Sequence, residues 1–319
     1  ITTGLERYRF VHQALPELDL GQVDLRTSFL GKSLAAPLLI SSMTGGTWAA
    51  TAINRRLAEA AQGMGLAMAL GSQRAALEDR QLLDTYRVRD VAPDVLLLAN
   101  LGAVQLNGTY TLSHCQRAVD TVEADGLVLH LNPLQEAIQP GGDTNFGGLL
   151  HKIEMICRSL SVPVIVKEVG YGLSERAARQ LVDVGVCALD VAGAGGTSWS
   201  EVERHRTETP GQGLVAAQFA DWGIPTADSL RMVRRGAPQV PLIASGGVES
   251  GVDVAKCIAL GADLAAVAWP LLRPSLTSSQ AVVDVLQVIV RALRIAMFCI
   301  GARDVAALRE TRCLEEIRS

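Results

Sequence analysis

The sequence predicts an α/β protein built as one (β/α)8 barrel, with an amino-terminal extension and a carboxyl-terminal helix. Eight short apolar runs, bounded by Gly, Asn or Pro and without polar alternation, recur along the chain. Parallel strands buried on both faces read this way. Stretches with helical period lie between them. The runs begin 23 to 37 residues apart, with one interval of 53, close to the recurring βα unit of about 30 residues in such barrels. A length of 319 residues allows two domains on average size alone. No Pro/Ser-rich linker or low-complexity tract divides it, so residues 1–319 read as a single domain.

Taken in order, residues 1–36 form the extension, in which Tyr8, Arg9 and Phe10 look like ordinary packing residues. The strand candidates are residues 37–43, 65–72, 95–101, 126–131, 163–169, 188–193, 241–247 and 264–269. Helical candidates between them are residues 49–63, 112–124, 146–160, 174–184, 227–235 and 250–260. Ser174 followed by Glu175 reads as a helix N-cap, and Gly185 and Gly261 as helix-ending glycines before a strand. The long interval after Gly193 holds residues 197–219, which predict an inserted loop or extra helix on the catalytic face. Residues 282–300 are interrupted by Asp284, Gln287, Arg291 and Arg294 at roughly helical spacing. They predict an amphipathic helix, and the segment 274–319 is expected to cover the barrel bottom or make an oligomer contact.

Composition excludes several classes of function. With 29 basic and 33 acidic side chains and no basic block, the chain lacks the phosphate neutralisation that nucleic-acid binding needs. Nothing reaches the roughly 20 uninterrupted apolar residues of a membrane span. The six cysteines (Cys115, Cys157, Cys187, Cys257, Cys299 and Cys313) form no C-x-x-C pair, against a zinc site or disulfide scaffold. A reducing cytoplasm is the expected compartment, and no signal-peptide pattern opens the chain. It begins at Ile1 rather than Met, as a fragment of a longer chain would.

In such a barrel the active site lies at the carboxyl ends of the strands. All eight are polar or glycine-rich here: S-S-M-T-G-G-T from Ser41, G-S-Q-R from Gly71, A-N-L-G from Ala99, H-L-N-P-L-Q-E from His130, K-E-V-G from Lys167, A-G-A-G-G-T-S-W from Ala192, S-G-G-V from Ser245 and A-W-P from Ala268. The glycine-rich turns after strands six and seven let backbone N–H groups approach a ligand, and late turns plus a helix N-terminus commonly hold a phosphate. An isolated S-G-G is equally well a tight turn; two such turns beside Lys167 and Asn100 point to a phosphorylated cofactor. Neither is the G-x-G-x-x-G of a dinucleotide fold. Lys167 at the barrel mouth suits a Schiff base, a place beside an electron-rich ring, or a structural ion pair with Glu168 or Asp190. His130, Asn132, Gln135 and Glu136 cluster within seven residues, whereas His12, His114, His151 and His205 have no such company. One carboxylate such as Glu136 suits Mg²⁺, which needs few protein carboxylates beside substrate phosphate and water.

The motifs S-M-T-G-G, G-S-x-R, A-N-L-G, H-x-N-P-L-Q-E, V-K-E-V-G, D-V-A-G-A-G-G-T-S-W, the G-I-P at residues 223–225 and A-S-G-G-V resemble the type 2 isopentenyl diphosphate isomerases. The resemblance runs from about Thr3 to about Arg303. It implies an FMN-linked barrel that interconverts isopentenyl and dimethylallyl diphosphate, with Mg²⁺ and with FMN reduced by NADPH. On this resemblance the flavin is held by Ser42, Met43, Thr44, Ser72, Asn100, Lys167, Thr197, Gly246, Gly247, Val248, Ala268 and Trp269. Ser72, Gln73, Arg74, His130, Asn132 and Gln135 address the diphosphate substrate, and Glu136 the magnesium. Glu203 matches a family carboxylate near the isomerising carbons. His130, Gln135, Lys167 and Glu203 are thus the expected catalytic set, and a homotetramer or homo-octamer is the expected assembly. The family's basic R-K-x-x-H segment is absent: Arg7, Arg9 and His12 follow T-T-G-L-E and are not that motif.

Allylic isomerisation delivers a proton to the terminal alkene carbon and removes another from C2. No histidine or cysteine pair is obviously placed for both, which leaves reduced FMN to act as acid and base without net redox. The expected roles are tuning and positioning for Lys167 and His130, proton handling for Gln135 and Glu203, and diphosphate neutralisation for Mg²⁺ on Glu136. One rival is an FMN-dependent oxidoreductase of the hydroxy-acid oxidase or IMP dehydrogenase kind. It needs a late catalytic histidine or a loop cysteine, and strand seven ends only in A-S-G-G-V. The other rival, a non-catalytic flavin- or phosphate-binding barrel, leaves polar residues at all eight strand ends unexplained.

Overall fold

In the computed structural model, which describes residues 1–207 and 210–317, the eight predicted strands close into a parallel barrel. They are β1 (Leu38–Ile40), β2 (Ala67–Ala69), β3 (Leu97–Gly102), β4 (Gly126–His130), β5 (Val164–Lys167), β6 (Ala188–Asp190), β7 (Leu242–Ala244) and β8 (Leu264–Val267). Each pairs with its sequence neighbours, and β8 closes on β1 through Ala265↔Leu38 and Val267↔Ile40. Side chains alternate across the barrel wall. Leu39, Ala67, Ala69, Leu98, Val128, Ile165, Ala188, Ile243 and Ala266 fill the interior. Their neighbours, among them Leu38, Ile40, Met68, Leu97 and Leu189, pack outward under the helices. This double burial is why the strands show no polar alternation.

The outer helices follow the predicted segments: Trp48–Met64, Leu112–Val122, Leu149–Ser159, Glu175–Asp183, Thr226–Gly236 and Gly251–Ala259. Ser174 accepts a hydrogen bond from Ala177 N at 3.2 Å and so caps its helix. Ser250 and Asp253 form a reciprocal capping box. The predicted insertion consists of helices Trp199–Arg206 and Pro210–Ala217 after β6.

The carboxyl-terminal helix does not cover the barrel bottom, one of the two places expected for this region. Helix Ser279–Cys299 packs against Trp48–Met64, Gly251–Ala259 and Trp269–Thr277 and is the outer-ring helix that follows β8. Its buried Val282, Leu286, Ile289, Leu293 and Met297 form one stripe three and four residues apart, which fits a groove between neighbouring helices. The barrel bottom is closed instead by a hairpin of the amino-terminal extension, Thr27–Phe29 paired with Lys32–Leu34. Phe29 and Leu34 join the interior cluster. Lys32 reaches the Asp125 carboxylate at 2.8 Å and the Val95 carbonyl at 3.2 Å beside it. Tyr8–Phe10 pairs antiparallel with Leu314–Glu316, tying the two ends of the chain together. Among the described residues no helix is long and apolar enough to cross a membrane. All six cysteines are free thiols.

Candidate active site

The carboxyl ends of the strands surround a cavity of about 750 Å³. Of the residues expected at the site, Ser42, Met43, Ser72, Asn100, His130, Gln135, Lys167, Thr197, Gly246, Gly247, Val248, Ala268 and Trp269 line it. They come from all eight strand ends.

At its centre stand Asn100, His130 and Lys167, on β3, β4 and β5. Asn100 Nδ2 donates to the Leu70 carbonyl at 3.1 Å and to Ser42 Oγ at 3.0 Å. A carbonyl can only accept, so this fixes the amide with Oδ1 facing His130 Nδ1 at 2.8 Å. Nδ1 therefore carries the proton and Nε2 is left as an acceptor. Burial, assisted by the positive charge of Lys167, pushes the His130 pKa down to about 3, so the ring is neutral. Lys167 Nζ donates to the Glu168 carbonyl at 2.6 Å. Burial pushes its pKa down, opposed by Asp190 and Glu168.

Asp190 is the register partner of Lys167 on β6. It accepts from Ser245 Oγ at 2.6 Å and Ala192 N at 3.2 Å. Burial raises its pKa against the pull of Lys167 and these donors. The Glu168 carboxylate accepts from the backbone N–H groups of Val169, Gly170 and Tyr171 at 2.5 to 2.8 Å. Burial outweighs these bonds and raises its pKa to about 7. Lys167 thus forms neither candidate ion pair within 4 Å, although both carboxylates act on it electrostatically.

Two glycine turns form the opposite wall. A Cβ on Gly246 would run into the backbone of Gly193, and one on Gly196 would lie 2.5 Å from Gly247 N. The turns therefore touch backbone to backbone. Among the described residues no hydrogen bond uses the N–H groups of Gly246, Gly247 or Val248. Beside them Ala268 occupies the N-cap position of helix Trp269–Thr277, where Pro270 has no N–H and Leu271 N donates to the Ala268 carbonyl at 2.9 Å, leaving the Trp269 N–H to face a ligand. Unpaired N–H groups on a glycine turn, next to an open cavity and a helix N-terminus, suit a phosphate, so the residues present fit a phosphorylated flavin.

Other expected site residues lie outside this lining. Gln73 is buried, with Nε2 on the Ala118 carbonyl at 2.9 Å and Oε1 accepting from Asn100 N at 3.0 Å. It supports the wall and has no free group for substrate. Thr44 gives its carbonyl to Asn54 Nδ2 at 3.3 Å. Arg74 is held between Glu78, at 2.9 Å, and Asp143, at 3.2 Å. Buried Asn132 donates to Glu136 Oε1 at 2.8 Å and Gln135 Oε1 at 3.2 Å, leaving its own Oδ1 unpartnered. Glu136 Oε2 accepts from Gln139 Nε2 and Asp143 N, both at 2.7 Å. Its Oε1 takes only the Asn132 bond and keeps a lone pair, so this carboxylate fits one ligand of a Mg²⁺ completed by phosphate and water. Glu203 is buried on helix Trp199–Arg206, with Arg206 Nη1 3.7 Å from Oε1. Among the described residues no group of three or more His, Cys, Asp or Glu could enclose a metal by itself.

Sequence reasoning missed Ser245 and Trp199, which line the cavity, and Thr226, which stands behind both glycine turns. The first two lie inside quoted strand-end motifs. Thr226 directly follows G-I-P and gives no signal of its own, because only the crossing of this segment under the turns reveals it.

Comparison with known proteins matches the model of the FMN-dependent dehydrogenase family to residues 2–81 and 133–315. A Nostoc protein named isopentenyl-diphosphate delta-isomerase is 53% identical over 99% of this chain and 91% of its own. A Synechococcus protein of the same name is 58% identical over 97% of this chain and 89% of its own. One from Stutzerimonas stutzeri is 54% identical over 98% and 91%. Among solved structures, a mandelate oxidase variant with an FMN monooxide adduct superposes at TM-score 0.69, with 19% identity over 98% of this chain and 89% of that one, a likeness of fold. The barrel, the family match and identities above 50% over nearly the whole chain place it in the FMN-dependent type of the isopentenyl-diphosphate delta-isomerase family.

Proposed function

We propose that this chain interconverts isopentenyl and dimethylallyl diphosphate, using FMN reduced by NADPH and Mg²⁺ to bind the diphosphate. The observation that carries the reading is one cavity that joins unpaired N–H groups on glycine turns to a neutral imidazole, a buried lysine and an amide. Two N–H-rich turns suit a flavin phosphate, and the polar cluster suits a reacting alkene beside the ring. The names of relatives more than 50% identical support the same substrate.

Gly246 to Val248 and the helix start at Trp269 would hold the flavin phosphate, with Ser42, Met43, Asn100 and Lys167 toward the ring. Bound and reduced, the flavin supplies a group that gives and takes a proton without net redox. The chain's own residues set the conditions. Lys167 brings a buried cationic group to the floor, which favours negative charge there. His130 is held neutral, with Nε2 as an acceptor, by Asn100, so it orients a donor rather than delivering a proton at neutral pH. Gln135 offers an amide at the rim. Glu136, steadied by Asn132, Gln139 and Asp143 N, would ligate the Mg²⁺ and so orient the diphosphate. Glu203 on the inserted helix and Arg74 at the mouth act from outside the lining, on substrate that extends past it.

The test is anaerobic incubation of the protein with FMN, NADPH or dithionite, Mg²⁺ and isopentenyl diphosphate in D2O. Dimethylallyl diphosphate carrying deuterium is expected. Absence of both product and label refutes the reading.

A further inference from the structure

Behind the two glycine turns lies one fully buried hydroxyl. Thr226 Oγ1 is 2.6 Å from the Gly246 carbonyl, 3.3 Å from that of Ser245 and 3.4 Å from that of Ala194. Its N–H donates to the Ala194 carbonyl at 3.2 Å. Ala194 also bridges Pro225 in parallel register. Thr226 therefore touches both turns: its single hydroxyl proton goes to the nearest carbonyl, Gly246 after β7, and its N–H to the Ala194 carbonyl after β6.

The surrounding backbones leave no room for another such grip. A Cβ on Gly193 would strike Thr226 Cα, and one on Gly247 would lie 2.5 Å from Thr3 Cγ2 and 2.6 Å from the Gly195 carbonyl. Thr3 is held in turn by its carbonyl, which accepts from Ala227 N at 2.9 Å. The turns are thus clamped from behind while their N–H groups on the cavity side stay unpaired. A carbonyl and the N–H of the next residue belong to one rigid peptide plane. Fixing the Gly246 carbonyl therefore fixes where the Gly247 N–H points, while the Ser245 carbonyl, held by Gly193 N–H at 2.9 Å, does the same for the Gly246 N–H.

We infer that Thr226 is a positioning residue for the cofactor phosphate: its hydroxyl, by donating to the Gly246 carbonyl, aims the Gly247 N–H at an anion it never touches. This rests on the reading that the cavity binds FMN through its phosphate.

The test compares FMN with riboflavin, which has the same ring system and ribityl chain without the phosphate. Thr226→Val keeps the shape and removes only the hydroxyl, and Thr226→Ser keeps the hydroxyl. Affinities are read by quenching of flavin fluorescence, with far-UV circular dichroism as the check on folding. The expected result is FMN binding weakened about five- to tenfold in T226V, the size of one net hydrogen-bond contribution, with riboflavin binding unchanged. T226S should keep the wild-type ratio of FMN to riboflavin affinity. Equal losses for both flavins in T226V, or no loss for either, overturn the assignment. So does a folded T226S that has lost the ratio, and this arm decides if T226V does not fold. Wild-type protein that binds neither flavin overturns the FMN reading itself, a result distinct from any change in ratio.

Discussion

His130 should make the protein lose stability on acidification, and the sign follows from the site. Its folded pKa is pushed from 6.5 down to about 3, first by burial and then by Lys167. Between these values the unfolded chain binds a proton that the folded chain refuses, so stability rises with pH across the window and is fully present above 6.5. At pH 5 the difference is about 1.5 pH units, or about 2 kcal/mol at 1.36 kcal/mol per unit. His130 faces an open cavity and keeps partial solvent access, so solvent screening reduces this to about 1 kcal/mol. Glu168 works the other way. Its folded pKa of about 7 lies above the ordinary 4.5, so its contribution is full below 4.5 and is lost as pH rises through 7. A single wild-type curve mixes the two groups, and a variant comparison separates them. Urea unfolding of wild type and His130→Gln at pH 7 and pH 5 should show the wild type losing about 1 kcal/mol more than the variant over that step. An equal loss in both proteins refutes a neutral, half-buried imidazole.

Three further outcomes follow from the same geometry. Phe29→Ala, which empties the plug at the barrel bottom, should cost about 3–5 kcal/mol of stability by thermal or urea unfolding, with the flavin cavity intact. Gln73→Ala should cost about 1–3 kcal/mol, because it orphans the buried Asn100 N–H and Ala118 carbonyl; a large rise in substrate KM without loss of stability would instead place Gln73 on the substrate. Exposed Cys187 should react first with a thiol reagent in the native state, while Cys115, whose thiol burial raises to about 12, and fully buried Cys257 react only on unfolding, as peptide mapping after timed alkylation would show.

The strands were legible because burial on both faces leaves uninterrupted apolar runs, and the polar ends followed because a parallel barrel gathers them on one face. The sequence could not say which way a polar residue turns once there. Asn100 and Gln73 are both amides near strand ends, yet one lines the cavity and the other braces it from behind. Asn100 is still on β3, whereas Gln73 lies past the end of β2 at the start of the short helix Arg74–Glu78, and the turn between decides where its side chain goes. Of the two places expected for the carboxyl-terminal segment, the barrel bottom was the wrong one for a related reason. Helix 279–299 is amphipathic in a way that fits a ring position as well as a cap, whereas the true plug, Phe29 and Leu34, is two apolar residues in a short hairpin with no periodicity to betray them. Thr226 was invisible because its role depends on a crossing of segments far apart in sequence.

The pairing of Tyr8–Phe10 with Leu314–Glu316, together with closure of β8 on β1, bears on how the molecule comes to exist. A growing chain can lay down strands one after another as they emerge, since each pairs with the one before. It cannot form a closed ring until β8 is made, and it cannot fasten its two ends until almost the last described residue has appeared. Throughout synthesis β1 therefore offers an open apolar edge of the kind that recruits other strands. Because residues 8–10 and 314–316 lie side by side, linking the chain across that strand pair and reopening it at an exposed loop should give a permuted barrel that still folds.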